Sequence, residues 1–377
     1  MREDARALVG QVDWKRLAMT LRARKLLPTL GPRISELVGD MTDDAFADEV
    51  ESALEAGRRQ GAFLQLVSLR LAAVLADAGI RSVPLKGPVL SEAIFGDPGR
   101  RLSSDVDLLV APTDLQPAVE VVRELGYGAP ADYVQDCGLP LLHFALAHER
   151  GELPPVELHW RIHWYEQHFA HERLLPSTVN PPAAWRPAAA DELVALLLFY
   201  ARDGFIDLRM ASDLSAWWDM HGEDLRPGAV DEVLDAYPAL ARVVRVAVVV
   251  AAHVVGLPAE RIIDEMPELS RRELIAARLA NPNPSSNLAQ LYAEMGLIDG
   301  LLAPPGGFQA FVRRQVLPPS EVLDQQARHG SRPRARSPFG RGAGVLARYA
   351  LAMTRLARPL HNRPNRQTDN PIAEGWM

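Results

Sequence analysis

Hydrophobic positions along the chain follow two different spacings. They recur every three or four residues over 8–27 and 43–78, and again from Ala190 onward, which predicts amphipathic helices. Between these stretches, residues 79–165 show short apolar runs with turn residues between them, which predicts a strand–helix–strand order. We therefore expect an α+β protein, in which a mixed sheet with helices is flanked by helical N- and C-terminal regions.

The same changes of pattern divide the chain into four segments. The last of them is basic, because residues 325–368 contain ten arginines and no aspartate or glutamate. Such runs are most often solvated surface or a flexible tail, and we favour this interpretation over contact with an acidic partner, RNA or an anionic membrane. The predicted segments are an N-terminal helical region at 1–78, a sheet-containing core at 79–185, a helical domain at 186–320 and a basic C-terminal tail at 321–377.

The most informative motif is an Asp-x-Asp pair, Asp105 and Asp107, which is followed directly by the apolar residues 108–110. Side chains at i and i+2 of a strand point to the same face, so the two carboxylates are expected to project together. Adjacent carboxylates repel each other unless a cation lies between them, and oxygen ligands of this kind suit Mg²⁺. The pair therefore predicts part of a metal site for phosphoryl chemistry, with a solvated strand entry as the alternative.

A second motif, Lys86-Gly87, lies between a short apolar run at 79–85 and Pro88, which suits the first turn of a helix. A helix N-terminus after such a turn attracts anions, because its backbone N–H groups are free and its dipole is positive there. Gly87 permits close approach to the backbone, and Lys86 adds a positive charge. We interpret the turn as a phosphate site; an ordinary strand-to-helix turn with an exposed lysine is the alternative.

Polar and apolar residues alternate over 155–164, which places Glu157 and His159 on one face of a predicted strand. Glu157 can serve as a third carboxylate, either as a metal ligand or as the base that deprotonates an attacking hydroxyl. A site for nucleotidyl transfer requires this strand to lie beside the strand of Asp105 and Asp107, with all three carboxylates facing one cleft. The adjacency of the two strands is thus a prediction that a structure can test.

Several motifs occur together along most of the chain: Leu85-Lys86-Gly87, Arg101, Ser104-Asp105-Val106-Asp107-Leu108-Leu109-Val110, Leu125-Gly126-Tyr127, Val156-Glu157-Leu158-His159-Trp160 and Tyr200-Ala201-Arg202-Asp203-Gly204. With this combination the sequence resembles the uncharacterised bacterial nucleotidyltransferase-like proteins of the DNA polymerase β superfamily. In this group a Lys-Gly turn takes the place of the superfamily's usual Gly-Ser phosphate turn.

The resemblance implies a polymerase-β-like nucleotidyltransferase core. It would move an NMP from an NTP, with ATP as the expected donor, to an unidentified hydroxyl acceptor on a small molecule, a peptide or a protein. The implied cofactor is Mg²⁺, with Mn²⁺ as the alternative. Catalysis and metal binding are assigned to Asp105, Asp107 and Glu157. Nucleotide binding is assigned to Lys86, Gly87, Arg101 and Ser104.

Two other functions stay open at this point. A catalytically silent nucleotide-binding or scaffold protein would keep the fold without turnover, and the presence of all three candidate acids disfavours it. An RNA-modifying nucleotidyltransferase would use the basic tail, and the acidic remainder of the chain disfavours that function. A labelled-NTP assay with Mg²⁺ and candidate acceptors separates these hypotheses.

Composition adds limits rather than a function. The 377 residues, 48% of them hydrophobic, can bury a large core, and the net charge of −7 argues against bulk nucleic-acid binding. The single cysteine, Cys137, and the charged residues 1–4 in place of a signal peptide predict a cytoplasmic protein. The most apolar run, 243–257, contains Arg245 and His253 and is too short to span a bilayer, so no transmembrane segment is expected.

Two further patterns carry less weight. His159 and His163 have the i, i+4 spacing of a helical zinc pair, but on a strand they would lie about 13 Å apart, too far for one ion. Arg209 and Asp213 have the spacing of an ion pair on one helical face, or they could brace the catalytic domain.

Overall fold

The computed structural model describes most of the chain, with helices before and after a small sheet. Cys137 and the basic tail at 321–377 lie outside the part of the chain that it describes. The described residues are 8–129, 142–182, 185–264, 266–280 and 288–309.

Within these ranges, helices outnumber strands and the sheet occupies the middle of the chain. The α-helices and strands follow in this order: α1 Trp14–Ala23, α2 Leu27–Val38, α3 Asp44–Asp77, β1 Ser82–Pro84, α4 Gly87–Phe95, β2 Val106–Val110, α5 Leu115–Glu124, β3 His143–Leu146, β4 Val156–His159, α6 Ala189–Arg202, α7 Leu208–His221, α8 Ala229–Ala236, α9 Ala241–Val255, α10 Ala259–Ile262, α11 Arg271–Leu279 and α12 Leu288–Leu302.

The four strands form one mixed sheet in the order β1-β2-β4-β3. β1 runs antiparallel to β2, β2 runs parallel to β4, and β4 runs antiparallel to β3. The prediction of a mixed sheet flanked by helical regions is confirmed, since α1–α3 precede the sheet and α6–α12 follow it.

Different helices cover the two faces of the sheet. On one face, Leu108 and Leu158 pack with Leu71 and Leu75 of the long helix α3. On the opposite face, Leu109 joins the larger core that contains α6 and α9. Every residue of β2 is therefore buried, and any charged side chain on this strand must be paired with another group to be tolerated.

Helix α3 also positions the loop that precedes β2. Two buried glycines of the helix, Gly57 and Gly61, let the loop residues Pro98 and Gly99 approach its backbone. A Cβ atom on Gly61 would lie 2.5 Å from the carbonyl oxygen of Pro98, and one on Gly57 would overlap the carbonyl oxygen of Gly99. The loop and the helix are thus so close together that positions 57 and 61 leave no room for a side chain.

Two elements are shorter than their hydrophobic pattern predicts, and local geometry explains one of them. Helix α1 starts late because the Asp13 carboxylate caps it by accepting a hydrogen bond from the Arg16 N–H at 2.9 Å. It ends before Lys25, whose φ of 57° lies in the left-handed region. The alternation over 155–164 forms a strand only as far as His159.

Helix α9 contains most of the apolar run at residues 243–257. By length and composition alone Pro238–Val255 could cross a membrane, with a mean hydropathy of 1.8, and half of it is buried inside the protein. Val243, Val246 and Val250 lie in the core that α9 shares with α6. This packing is the one expected of a core helix in a globular protein.

A buried acid in the segment after β4 makes stability depend on pH. Glu166 accepts hydrogen bonds from the backbone N–H groups of Ile162 and Ala170, at 3.1 and 3.4 Å. Burial outweighs these bonds and raises the pKa of Glu166 from 4.5 to about 7. Between these two values the folded protein keeps a proton that the unfolded chain has lost, so stability falls as the pH rises.

We expect the Glu166 contribution to fall by about 3 kcal/mol between pH 4.5 and pH 7. Urea unfolding measured across this range should show the decline in the wild-type protein, and Glu166→Gln should reduce it. The exposed control Glu149→Gln should keep the wild-type profile. A Glu166→Gln profile that declines as steeply as the wild type would contradict the assignment.

Candidate active site

The parallel pairing of β2 and β4 sets the centre of the site. Asp107 of β2 lies directly opposite Glu157 of β4. Both side chains point to the face that carries Leu109, since residues two apart on a strand share a face. The predicted adjacency of the two strands is confirmed.

Asp107 is almost fully buried and is paired on two sides. Its Oδ1 atom lies 3.3 Å from Lys86 Nζ and 2.9 Å from His159 Nε2. Burial tends to raise the pKa of this carboxyl, but the Lys86 charge and the His159 hydrogen bond outweigh burial and hold the pKa well below its usual value. Asp107 is therefore a stable anion at the floor of the site.

Glu157 lies between two imidazoles. Its Oε2 atom is 3.2 Å from His159 Nε2 and 3.6 Å from His143 Nε2. Burial opposes ionisation, but the hydrogen bond from His159 and the interaction with His143 lower the pKa of Glu157. Because both partners of His159 Nε2 are carboxylates, which only accept, we assign the proton of this ring to Nε2. The Glu157 carboxylate is thus held as an anion beside Asp107.

His143 belongs to the site although no local motif pointed to it. It pairs directly with His159 across β3 and β4, and the two ring centroids are 4.6 Å apart. Burial, reinforced by His159, lowers the pKa of His143 to about 4. The partner of His159 is therefore His143 rather than His163, which lies beyond the end of β4 and accepts a hydrogen bond from the Tyr165 N–H at 3.2 Å.

Asp105 lies one residue before β2 and is half-buried. Burial raises its pKa, and so do the charges of Asp107 and Glu157, which shows that the three acids repel one another across the site. A bound dication would relieve this repulsion, so the carboxylates suit a hard metal ion such as Mg²⁺. In the described part of the chain, the groups of three or more donor atoms within 4.8 Å of one another are His143–Glu157–His159 and His168–His171–Glu172, and neither group contains Asp105 or Asp107.

The turn at Lys86-Gly87 has the backbone that the sequence predicts. Lys86 is extended at the N-cap of α4, and Gly87 has a φ of 75°, which favours glycine because the left-handed region strains other residues. Pro88 follows in the first turn. The Lys86 ammonium lies 4.6 Å from the ring centroid of Phe199 on α6 as well as beside Asp107. The lysine therefore faces the site rather than open solvent.

Arg202 is a further cation in this region that the motif analysis did not assign to the site. Its guanidinium lies 5.0 Å from the Phe199 ring and 3.5 Å from the Asp203 carboxylate. Its Nη1 atom is buried and has no hydrogen-bond partner among the described residues. The positive charge of Arg202 also lowers the pKa of Asp107. In the sequence, the one indication of a role for Arg202 was that it belongs to the family motif at residues 200–204.

Arg101 is held away from solvent by an acid on α7. Its Nε donates to Asp213 Oδ2 at 2.6 Å and its Nη1 to Ser103 Oγ at 2.9 Å. Of the two alternatives for Arg209 and Asp213, an ion pair between them is therefore not observed. Arg209 instead pairs with Asp207 at 2.8 Å and donates to the carbonyl oxygen of Leu102 at 3.3 Å, so these contacts agree with the other alternative, a brace on the region that contains the candidate acids.

Ser104 is exposed at the entry of β2. A backbone hydrogen bond from Ser104 to the Asp105 carboxylate partly offsets the rise in the Asp105 pKa. Among the predicted nucleotide-binding residues, Lys86 therefore lies in contact with the acids, Gly87 and Ser104 lie on the flanking turns, and Arg101 lies behind them in its own ion pair.

Comparison with known proteins agrees with this arrangement at the level of the family. No curated protein and no solved structure gives a significant match to the chain. A family model described as an uncharacterised nucleotidyltransferase matches residues 10–256, which include α1 to α9 and every site residue described above. The chain belongs to this family of uncharacterised nucleotidyltransferases.

Proposed function

We propose that the protein has a polymerase-β-like core and transfers an NMP from an NTP, preferably ATP, to a hydroxyl group of an acceptor. The acceptor class is a small molecule, a peptide or a protein side chain. The observation that carries the proposal is the side-by-side pairing of Asp107 and Glu157 on parallel strands, with Lys86 next to Asp107. Family membership supports nucleotidyl transfer in general.

The divalent ion that nucleotidyltransferases generally use would be held by carboxylates of this site. Asp105, Asp107 and Glu157 supply the hard oxygen donors that Mg²⁺ prefers, and their mutual repulsion supports a cation among them. When bound, such an ion neutralises charge on the triphosphate and polarises the α-phosphate. Mn²⁺ is the alternative ion for the same donors.

Two cations and a helix N-terminus border the acids and would receive the phosphates. Lys86 and Arg202 lie near the Phe199 ring, and the free N–H groups at the start of α4 follow Gly87. The unpartnered Nη1 of Arg202 supports a ligand contact there, because a buried N–H group without an acceptor is costly. We assign Arg101 a structural role, in which it holds Ser103 in place, because its guanidinium already donates hydrogen bonds to Asp213 and Ser103.

In the proposed reaction the acceptor hydroxyl oxygen attacks the α-phosphorus in line with the departing pyrophosphate. The new P–O bond forms as the bond to the β-phosphate oxygen breaks. The hydroxyl proton passes to Glu157, for which the role of base is the alternative to that of metal ligand; its carboxylate is ionised because its pKa is lowered. Lys86 and Arg202 stabilise the charge on the pyrophosphate as it leaves.

One observation favours a second candidate, a nucleotide-binding protein without turnover. Asp107 is already paired with Lys86 and hydrogen-bonded to His159 in the structure, so the fold is compatible with an acid pair that holds no ion. Such a protein would bind NTP and release no pyrophosphate.

The test is an assay with each α-labelled NTP, Mg²⁺ or Mn²⁺, and panels of sugar, small-molecule and peptide acceptors. Label transfer together with pyrophosphate release would support the enzyme. Saturable NTP binding without pyrophosphate from any panel would favour the silent binding protein. Absence of both binding and transfer would overturn the proposal.

Removal of a phosphate contact should weaken nucleotide binding. We expect Lys86→Ala and Arg202→Ala each to lower NTP affinity by about 10- to 100-fold, the usual contribution of a hydrogen bond to a charged group. Isothermal titration at several salt concentrations checks this, since a lost ionic contact also reduces the salt dependence. The exposed control Lys15→Ala should bind like the wild type; unchanged affinity in both site variants would remove them from the phosphate site.

A further inference from the structure

Two imidazoles and a carboxylate converge at the edge of the site. His143 and His159 face each other across β3 and β4, and Glu157 lies two residues before His159 on the same face. One donor atom from each of these residues lies within 4.8 Å of the others. His159 is fully buried, and His143 and Glu157 are half-buried, so the three side chains form a partly enclosed group rather than an exposed one.

The separations of these donor atoms are close to those around a single ion. Glu157 Oε2 lies 3.2 Å from His159 Nε2 and 3.6 Å from His143 Nε2. Donors about 2.0–2.1 Å from a tetrahedral metal ion lie about 3.4 Å from each other. Only small side-chain movements would therefore bring the three atoms to coordination distance.

We propose that His143, Glu157 and His159 form a binding site for a first-row transition-metal dication, such as Co²⁺ or Zn²⁺, which differs from the carboxylate site for Mg²⁺ in its two imidazole donors. Imidazole nitrogen suits these ions, whereas Mg²⁺ prefers oxygen ligands throughout. The site shares Glu157 with the proposed nucleotidyltransferase centre, and its use as a second metal position rests on that proposed function. The binding of a metal ion at this site does not depend on that function.

The hydrogen bonding of His159 sets the expected strength of the site. Without metal, its Nε2–H donates to Asp107 and Glu157. Coordination through Nε2 moves the ring proton to Nδ1, which is buried and has no partner among the described residues. Metal-bound histidines usually donate this second N–H to an acceptor, so the affinity should be lower than that of a structural zinc site.

The test is a titration of the full-length protein, freed of metal by chelation, with Co²⁺ in excess Mg²⁺ and without nucleotide. Binding is followed by visible absorption, which reports nitrogen ligands, and by calorimetry with Zn²⁺. We expect His143→Ala to weaken Co²⁺ binding by at least about 100-fold. The control His171→Ala alters the second group of potential ligands, with His168 and Glu172, and should leave the spectrum unchanged.

Each outcome decides the proposal. A wild-type Co²⁺ spectrum that His143→Ala abolishes and His171→Ala retains supports it. A wild-type titration without a nitrogen-ligand spectrum, or one lost only in His171→Ala, overturns it and leaves His159 as a hydrogen-bond donor to the acids. Because the titration contains no NTP, failure of nucleotidyl transfer would not change its result.

Discussion

Asp107→Asn is expected to lower nucleotidyl transfer by about 1,000-fold or more. The buried carboxylate lies opposite Glu157 and beside Lys86, so its charge acts on the proposed ion and on the position of the lysine. Asparagine keeps the shape and can still accept the hydrogen bond from His159. Pyrophosphate release at saturating NTP measures the loss of turnover, and thermal melting reports whether the variant is folded.

The control for this variant is Asp114→Asn, which changes an acid just beyond β2 that makes no contact with Lys86 or His159. It should turn over like the wild type. Asp107→Asn retaining activity within about tenfold of the wild type would contradict the metal and catalytic assignments of Asp107. A folded Asp107→Asn protein that binds NTP but releases no pyrophosphate would agree with them.

Asp213→Ala is expected to lower the free energy of unfolding by about 3–5 kcal/mol, because it leaves Arg101 buried without its counter-ion. The exposed fractions of the two side chains are 7% for Arg101 and 2% for Asp213, and their atoms lie 2.6 Å apart. Urea unfolding of the variant and the wild type measures the difference.

A double variant and an exposed pair complete this experiment. Replacing both partners, Arg101→Met with Asp213→Leu, should recover much of the stability, since the unpaired charge is then gone. Glu232→Ala breaks the solvent-exposed pair with Arg226 and should have little effect. If Asp213→Ala and Glu232→Ala had the same free energy of unfolding, the buried pair of Arg101 and Asp213 would not contribute the stability assigned to it.

The positions of Asp107 and Glu157 could be predicted from the sequence because they follow from the local pattern of each strand. The alternation of a strand put Asp107 and Glu157 on defined faces, and the apolar run after Asp107 indicated a buried strand. Family resemblance then joined the two segments. The turn at Gly87 was equally local, since a glycine before a proline at a helix start limits the backbone to few conformations.

The remaining contacts join segments that no local pattern connects. Arg101 and Asp213 are 112 positions apart, whereas the helical spacing of Arg209 and Asp213 offered a pair four residues apart as one of two alternatives. His143 reaches His159 only through the register of β3 on β4. These pairs form through tertiary packing, and the periodicity of the sequence carries no information about that packing.

The glycines of α3 have a consequence for attempts to stabilise the protein by design. Helix propensity alone favours alanine at Gly57 and Gly61, with a gain of about 1 kcal/mol at each position. Either methyl group would push Pro98 and Gly99 outward, and with them the chain that leads to Asp105. Substitutions that stabilise the helix at these two positions would therefore displace the acids that follow the loop. Helix stability and the geometry of the candidate site thus place opposite demands on Gly57 and Gly61.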